Sequence, residues 1–138
     1  MNRIKFDSDT MKLISLFESL TKVSVKDCIP DAGRVIVVVP HGQASIAVGK
    51  NGSNVRRLER MLNRKLKIVE FNSEVTEFTK NIIYPLKAKE VCEQNGEVII
   101  TPPDLQTRGY LIGRNATQLR ATEALIKRHF PITEVKVI

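Results

Sequence analysis

Tryptophan is absent from this chain, and aromatic residues make up only 5% of its 138 positions. A binding face built mainly on stacked aromatic rings is therefore excluded. Cysteine is limited to Cys28 and Cys92, neither in a Cys-x-x-Cys pair, which excludes a zinc ribbon. His41 and His129 stand alone without metal-like partners, so no metal or cofactor is expected; His129, near a helix end, reads as a favourable charge there. No nucleophile–base–acid constellation is readable, and Glu18, Glu59 and Glu123 are scattered over helices as surface residues would be. An enzyme with a small-molecule substrate is not expected. No apolar run approaches a membrane span, and Met1-Asn2-Arg3-Ile4-Lys5 leads into Asp7 without the apolar core of a signal peptide. The expectation is a cytoplasmic protein with reduced, structural cysteines. Acidic residues are outnumbered 15 to 22 by Lys and Arg, for a formal net charge of +7. That balance favours a polyanionic partner such as nucleic acid.

What the chain does contain is an internal repeat. Gly49-Lys50-Asn51-Gly52 recurs as Gly113-Arg114-Asn115-Ala116, an offset of 64 (49 to 113). The same offset takes Ile46-Ala47-Val48 to Tyr110-Leu111-Ile112, Val55 to Leu119, Arg56 to Arg120 and Leu62 to Ile126. Upstream it takes the turn at Asp31-Ala32-Gly33 to Asn95-Gly96, Cys28 to Cys92 and Ile14 to Phe78. The two halves read as copies, residues 1–72 and 73–138, with no flexible linker between them and hence an expected fixed orientation. The two cysteines then occupy matching places in separate copies, and a disulfide between them is not expected.

Each copy carries the same order of elements. In the first, Ser8 or Asp9 can cap a helix whose Leu13, Leu16, Phe17 and Leu20 share a face. A strand is expected at Val23-Ser24-Val25, a turn at Pro30-Asp31-Ala32-Gly33, and a central apolar strand at Val35–Val39. A short helix from Gln43 to Val48, a helix from Ser53 to about Asn63 and a strand from Leu66 to Phe71 complete the unit. The second copy reads as a helix over 73–83, strands near 86–92 and 97–101, and a break at Pro102-Pro103. A short helix to Ile112, a helix over 117–129 and a strand over 133–138 follow.

Gly49-Lys50-Asn51-Gly52 stands directly before a helix start, with Ser53 as its cap. Unpaired backbone N–H groups and the helix dipole favour an anion there, and glycines let another backbone approach closely. Lys50 adds a mobile positive charge. A lone G-x-x-G is a weak signal; its recurrence at an equivalent position, each time with a basic residue then Asn after the first glycine, makes a strong one. On the following helix Arg56, Arg60 and Arg64 line the face opposite Val55, Leu58, Met61 and Leu62, with Arg57 on the flank. Arg56 and Arg57, nearest the loop, are assigned to a bound sugar-phosphate backbone, and Arg64 to a solvated surface. The second loop differs: Ala116 replaces the last glycine, and Ala121 and Ala124 stand where the first copy has Arg57 and Arg60, so a weaker or more selective site is expected. Arg114 and Arg120 remain for phosphates.

Gly42 to Lys50 has six residues between its glycines and Asn51 after the lysine, so it is not a nucleotide-binding P-loop. Asn51-Gly52-Ser53 and Asn115-Ala116-Thr117 match the N-glycosylation pattern only by coincidence of a loop entering a helix.

The helix–strand–strand–helix–loop–helix–strand order resembles the type II, prokaryotic KH module, in which the G-x-x-G loop clamps about four nucleotides of single-stranded RNA. The expected fold is α+β: two tandem KH modules, each a three-stranded mixed sheet covered by helices. Over nearly the whole chain the sequence also resembles the archaeal NusA-like transcription factors. The residues that carry this are Met11–Glu18, Val25–Cys28, Ala47–Val55, Ile112–Asn115 and Leu125–Phe130. The resemblance implies RNA bound across both loops and a role in transcription elongation, termination or antitermination. Bacterial relatives carry an N-terminal polymerase-binding domain and an oligonucleotide-binding barrel for which these 138 residues have no room. RNA polymerase and other transcription factors therefore stay open as partners, and a scaffold docking on polymerase or ribosome stays open as an alternative function.

Overall fold

The computed structural model describes residues 6–30 and 33–138. The run Met1–Lys5, and Asp31 and Ala32 of the first expected turn, lie outside the described residues. The chain divides into two compact units, one ending at Phe71 and the other spanning Asn72–Ile138.

The first unit opens with helix α1 (Ser8–Thr21). Its cap is Asp7 rather than Ser8 or Asp9: the Asp7 carboxylate accepts from the Thr10 amide at 2.7 Å, and that bond holds the carboxyl below the usual aspartate range. Strands β1 (Asp27–Pro30), β2 (Arg34–Val39) and β3 (Lys65–Glu70) form a sheet in that order. β1 runs antiparallel to β2, and β3 parallel to it. The expected strand at Val23–Val25 is not one. Val23 is buried, but this stretch crosses from α1 into β1 with the Val25 amide held by the Glu18 carboxylate at 2.7 Å. Helices α2 (Ala44–Val48) and α3 (Ser53–Leu62) lie between β2 and β3 in the chain. The core gathers Phe17, Val23, Cys28, Val35, Val37, Val39, Ala47 and Leu58, with Leu13, Leu16 and Leu20 packed against it. Burying each such aliphatic side chain contributes roughly 1.5–3 kcal/mol.

The second unit repeats the plan. Helix α4 (Val75–Ile83) precedes strands β4 (Glu90–Gln94) and β5 (Glu97–Thr101). Helix α5 (Leu105–Ile112), helix α6 (Thr117–Lys127) and strand β6 (Glu134–Val137) follow. The sheet order is β4-β5-β6, with the same antiparallel and parallel pairings. His129 lies just beyond the end of α6, its amide donating to the Ile126 carbonyl at 3.0 Å and its ring edge-on to the buried Phe78 at 5.5 Å.

The repeat is real, but its spacing is not uniform. In the first hairpin Cys28 pairs with Val37, both buried; in the second the buried pair is Val91 with Ile100, an offset of 63 (28 to 91, 37 to 100). Cys28 therefore corresponds to Val91, not to Cys92, which is only half-buried and pairs with Ile99. Gly33 corresponds likewise to Gly96. From the glycine loop through the following helix the offset is 64. At the last strand it is 69 (66 to 135), since the Leu66 and Val135 amides each donate to the equivalent helix carboxylate.

Those carboxylates correct a second expectation. Glu59 Oε2 accepts from the Leu66 amide at 2.8 Å, and Glu123 Oε2 from the Val135 amide at 2.9 Å. With Glu18 on Val25, all three fasten a helix to the chain that leaves it, instead of lying idle on the surface.

Candidate nucleic-acid interface

Two short turns carry the glycine loops. Lys50–Gly52 joins α2 to α3, and Arg114–Ala116 joins α5 to α6. Their backbones agree closely: Gly49, Asn51 and Gly52 have φ of +82°, +55° and +73°, and Gly113, Asn115 and Ala116 have +74°, +56° and +61°. Asn tolerates the left-handed region better than most residues. At Gly49 a Cβ would lie 2.8 Å from the Asn54 side chain, and at Gly113 one would lie 2.7 Å from Gln118 Cβ and 2.9 Å from its amide. The first glycine of each loop is thus required by packing onto the next helix. At Gly52 only the tip of Arg56, 3.4 Å away, would meet a Cβ, so the last glycine faces open space.

The Gly52 amide donates to the Gly49 carbonyl at 3.1 Å and the Ser53 amide to the Lys50 carbonyl, so these two amides are used inside the turn. Lys50 and Asn51 stand exposed at the apex. Ser53 does not cap α3: the cap position is Gly52, and Ser53 is already helical. Arg56 reaches back from the first turn of α3, and its guanidinium donates to the Asn51 carbonyl. Asn54 Nδ2 donates to the Ile46 carbonyl at 3.3 Å, tying α3 to α2. Arg57 is exposed on the same turn. In the second unit Arg114, Asn115 and Arg120 are exposed, Ala116 is half-buried, and Thr117 Oγ1 donates to the Arg114 carbonyl at 2.8 Å. All twelve residues singled out in the sequence thus stand at or beside the loop of their own unit.

Beside each loop stands an exposed apolar side chain, Ile46 at 54% and Tyr110 at 59% exposure. Tyr110 carried no assignment from sequence, although the 64-residue offset from Ile46 pointed to it. Also unassigned was an open cleft of about 600 Å³ below α3, lined by Gly33, Arg56, Glu59, Arg60, Asn63, Arg64 and Lys65. Among the described residues no group of three or more His, Cys, Asp or Glu could hold a metal, and no helix is long and apolar enough to cross a membrane.

Comparison with known proteins bears on this arrangement. A family model described as KH domain matches residues 13–83. A protein of Methanocaldococcus jannaschii named "Probable transcription termination protein NusA" is 27% identical over 100% of this chain and 77% of its own length. One of the same name from Halobacterium salinarum is 29% identical over 97% of this chain and 98% of its own. Among solved structures, the crystal structure of APE1850 is similar, with a TM-score of 0.75 at 26% identity, covering 96% of this chain and 100% of that one.

Proposed function

This chain belongs to the KH-domain family as an archaeal NusA-like member, and from that premise we propose that it is a non-enzymatic protein that binds single-stranded RNA and acts in transcription elongation, termination or antitermination. The observation that carries the reading is the pair of loops with one shared backbone geometry, each with a basic residue at its apex.

In this reading a phosphate of the RNA sits at the apex of each loop. The Lys50 ammonium and the amides of Lys50 and Asn51 face it, and Gly52 leaves room for the sugar-phosphate chain to pass. Arg56 holds the loop in shape through the Asn51 carbonyl and turns its remaining donors outward. Arg57 supplies further charge. Bases turned inward lie against Ile46 and Val55. The second loop works with Arg114, Asn115 and Arg120, and its Tyr110 offers a ring face for stacking. The methyl of Ala116 narrows the passage there, making that site the weaker or more selective one. RNA polymerase or another transcription factor is a partner in keeping with the relatives' names.

Gly52→Asp tests the reading. It places a carboxylate where the phosphate is to pass, and it is expected to reduce affinity for single-stranded RNA while far-UV circular dichroism stays unchanged. Full affinity in that folded variant would remove the loop from the mechanism.

A further inference from the structure

The first helix of arginines leads away from the loop. Arg56 stands between the loop and the cleft below α3: its guanidinium is bonded to the loop carbonyl of Asn51, and it also lines the cleft. From Arg56 to the end of α3 at Leu62 the helix rises roughly 9 Å, with Arg60 one turn on. Asn63 then takes a left-handed conformation with φ +54° and ends the helix. The chain turns back, and the Lys65 amide donates to the Gly33 carbonyl at 3.4 Å, which sets Arg64 and Lys65 at the far mouth of the same cleft.

A solvated arginine face is ordinarily interleaved with acids. Here Glu59 is the sole acid in the lining, and its carboxylate is engaged by the Leu66 amide. Among the described residues no carboxylate forms an ion pair with Arg56, Arg60, Arg64 or Lys65. Three lysines of the second unit, by contrast, are paired: Lys80 with Glu77, Lys127 with Glu123, Lys136 with Glu97. Two residues beyond Lys65 on β3, the Lys67 ammonium is held below the usual lysine range, first by burial and then by the charge of Arg34. Arg34 lies beside Lys65 in the register of β2 and β3. Positive charge is thus concentrated at this end of the sheet. At the 64-residue offset the second unit keeps Arg120 and Arg128 in the places of Arg56 and Arg64 but has Ala124 in that of Arg60, so its row is interrupted.

We propose that the basic cleft below α3 is a second phosphate-binding segment of the first unit, gripping single-stranded RNA that continues past the glycine loop. The proposal rests on the RNA-binding reading of that loop. It gives the first unit a longer footprint than the about four nucleotides a loop of this kind clamps, and it makes the two units unequal in length of RNA held.

The test uses the full chain carrying Arg114→Gln and Arg120→Gln, which quiets the second loop. Its affinities for single-stranded RNAs of four and of eight nucleotides are measured across salt. They are compared with those after adding Arg60→Gln, Arg64→Gln and Lys65→Gln. The four-nucleotide RNA should bind both proteins alike. For the eight-nucleotide RNA the salt slope should become shallower by about 0.7 for each phosphate no longer neutralised, roughly 1.4 for two. An unchanged slope and affinity for the longer RNA would overturn the proposal and leave the cleft to another anion, such as an acidic peptide. Should the triple change unfold the protein by circular dichroism, Arg60→Gln alone gives the same comparison with about half the effect. Gly52→Asp in the same background separates the two ideas. Four-nucleotide binding that survives it overturns the loop reading, whereas an unchanged slope in the cleft variant overturns the cleft alone.

Discussion

Ala116 holds a backbone conformation, φ +61°, that an L-residue enters at a cost of about 1–2 kcal/mol. Nothing in the α6 sequence demands an alanine there, and Gly52 fills the matching place in the first loop without strain. Ala116→Gly is expected to raise stability by about 1 kcal/mol, read as a higher urea midpoint at unchanged slope; an unmoved or lower midpoint would contradict the strain. Glycine also loses more entropy on folding, which keeps the gain near the low end. The opposite change at the first glycine should be severe. Gly113→Ala drives a Cβ to 2.7 Å from Gln118 Cβ, where backbone also stands at 2.9 Å, and a destabilisation above about 2 kcal/mol is expected from forced displacement. Gly52→Ala meets only a flexible guanidinium at 3.4 Å, so its stability cost is confined to the backbone, about 1 kcal/mol. The first and last glycine positions of the loops therefore separate in a denaturation series, the first held by packing and the last facing open space.

At the level of elements, each of three helices is fastened to the next stretch of chain by a carboxylate that sequence alone left on the surface. Glu59→Ala should cost about 1–3 kcal/mol, since it removes a charge-assisted bond and strands the Leu66 amide; Glu123→Ala should do the same through Val135. Chemical denaturation of each variant measures this, and a change within experimental error would mean that water satisfies those amides equally well. The helix caps add a pH dependence. Asp7 and Asp104 are both held below the usual aspartate range, chiefly by the amides of Thr10 and Thr107. Depressed folded-state values mean that their stabilisation is fully present above the unfolded value, about pH 4, and is lost as pH falls through the folded value. Asp7→Asn and Asp104→Asn, which retain a capping oxygen but no charge, should flatten this acid limb of a stability–pH profile.

Helices α3 and α6 and both glycine loops were legible in the sequence, because amphipathic spacing and repeated glycines are local signals. Strand β1 was not. Val23 and Val25 have the better strand chemistry, yet the ladder forms at Asp27–Pro30, two of whose four residues are ordinarily poor in strands. Pairing with β2, a long-range choice, settles it. The single 64-residue offset failed for a related reason. It holds where loop and helix are one rigid block, and it slips to 63 and 69 across connections, where insertions are tolerated. The error moved Cys92 onto Cys28's place, although the 63-residue offset that puts Gly96 on Gly33 was there to be read. Arg64 was read as solvated surface and Lys65 carried no assignment, because only the left-handed turn at Asn63 brings them beside Gly33.

For the whole molecule, a net charge of +7 guarantees attraction to any polyanion and so cannot by itself establish RNA recognition. What distinguishes a KH mechanism is preference for single strands and dependence on the loop. Binding should weaken with salt at a slope of about −0.7 for each single-strand phosphate neutralised. The most direct measurement is competition among short single-stranded RNAs, duplex RNA and single-stranded DNA for the intact chain, repeated with Lys50→Gln and Gly52→Asp together. A preference for single-stranded RNA that disappears in the folded double variant is the expected result. Equal binding to all three nucleic acids, unchanged by the two substitutions, would contradict the account and leave a basic protein whose partners must be sought among proteins.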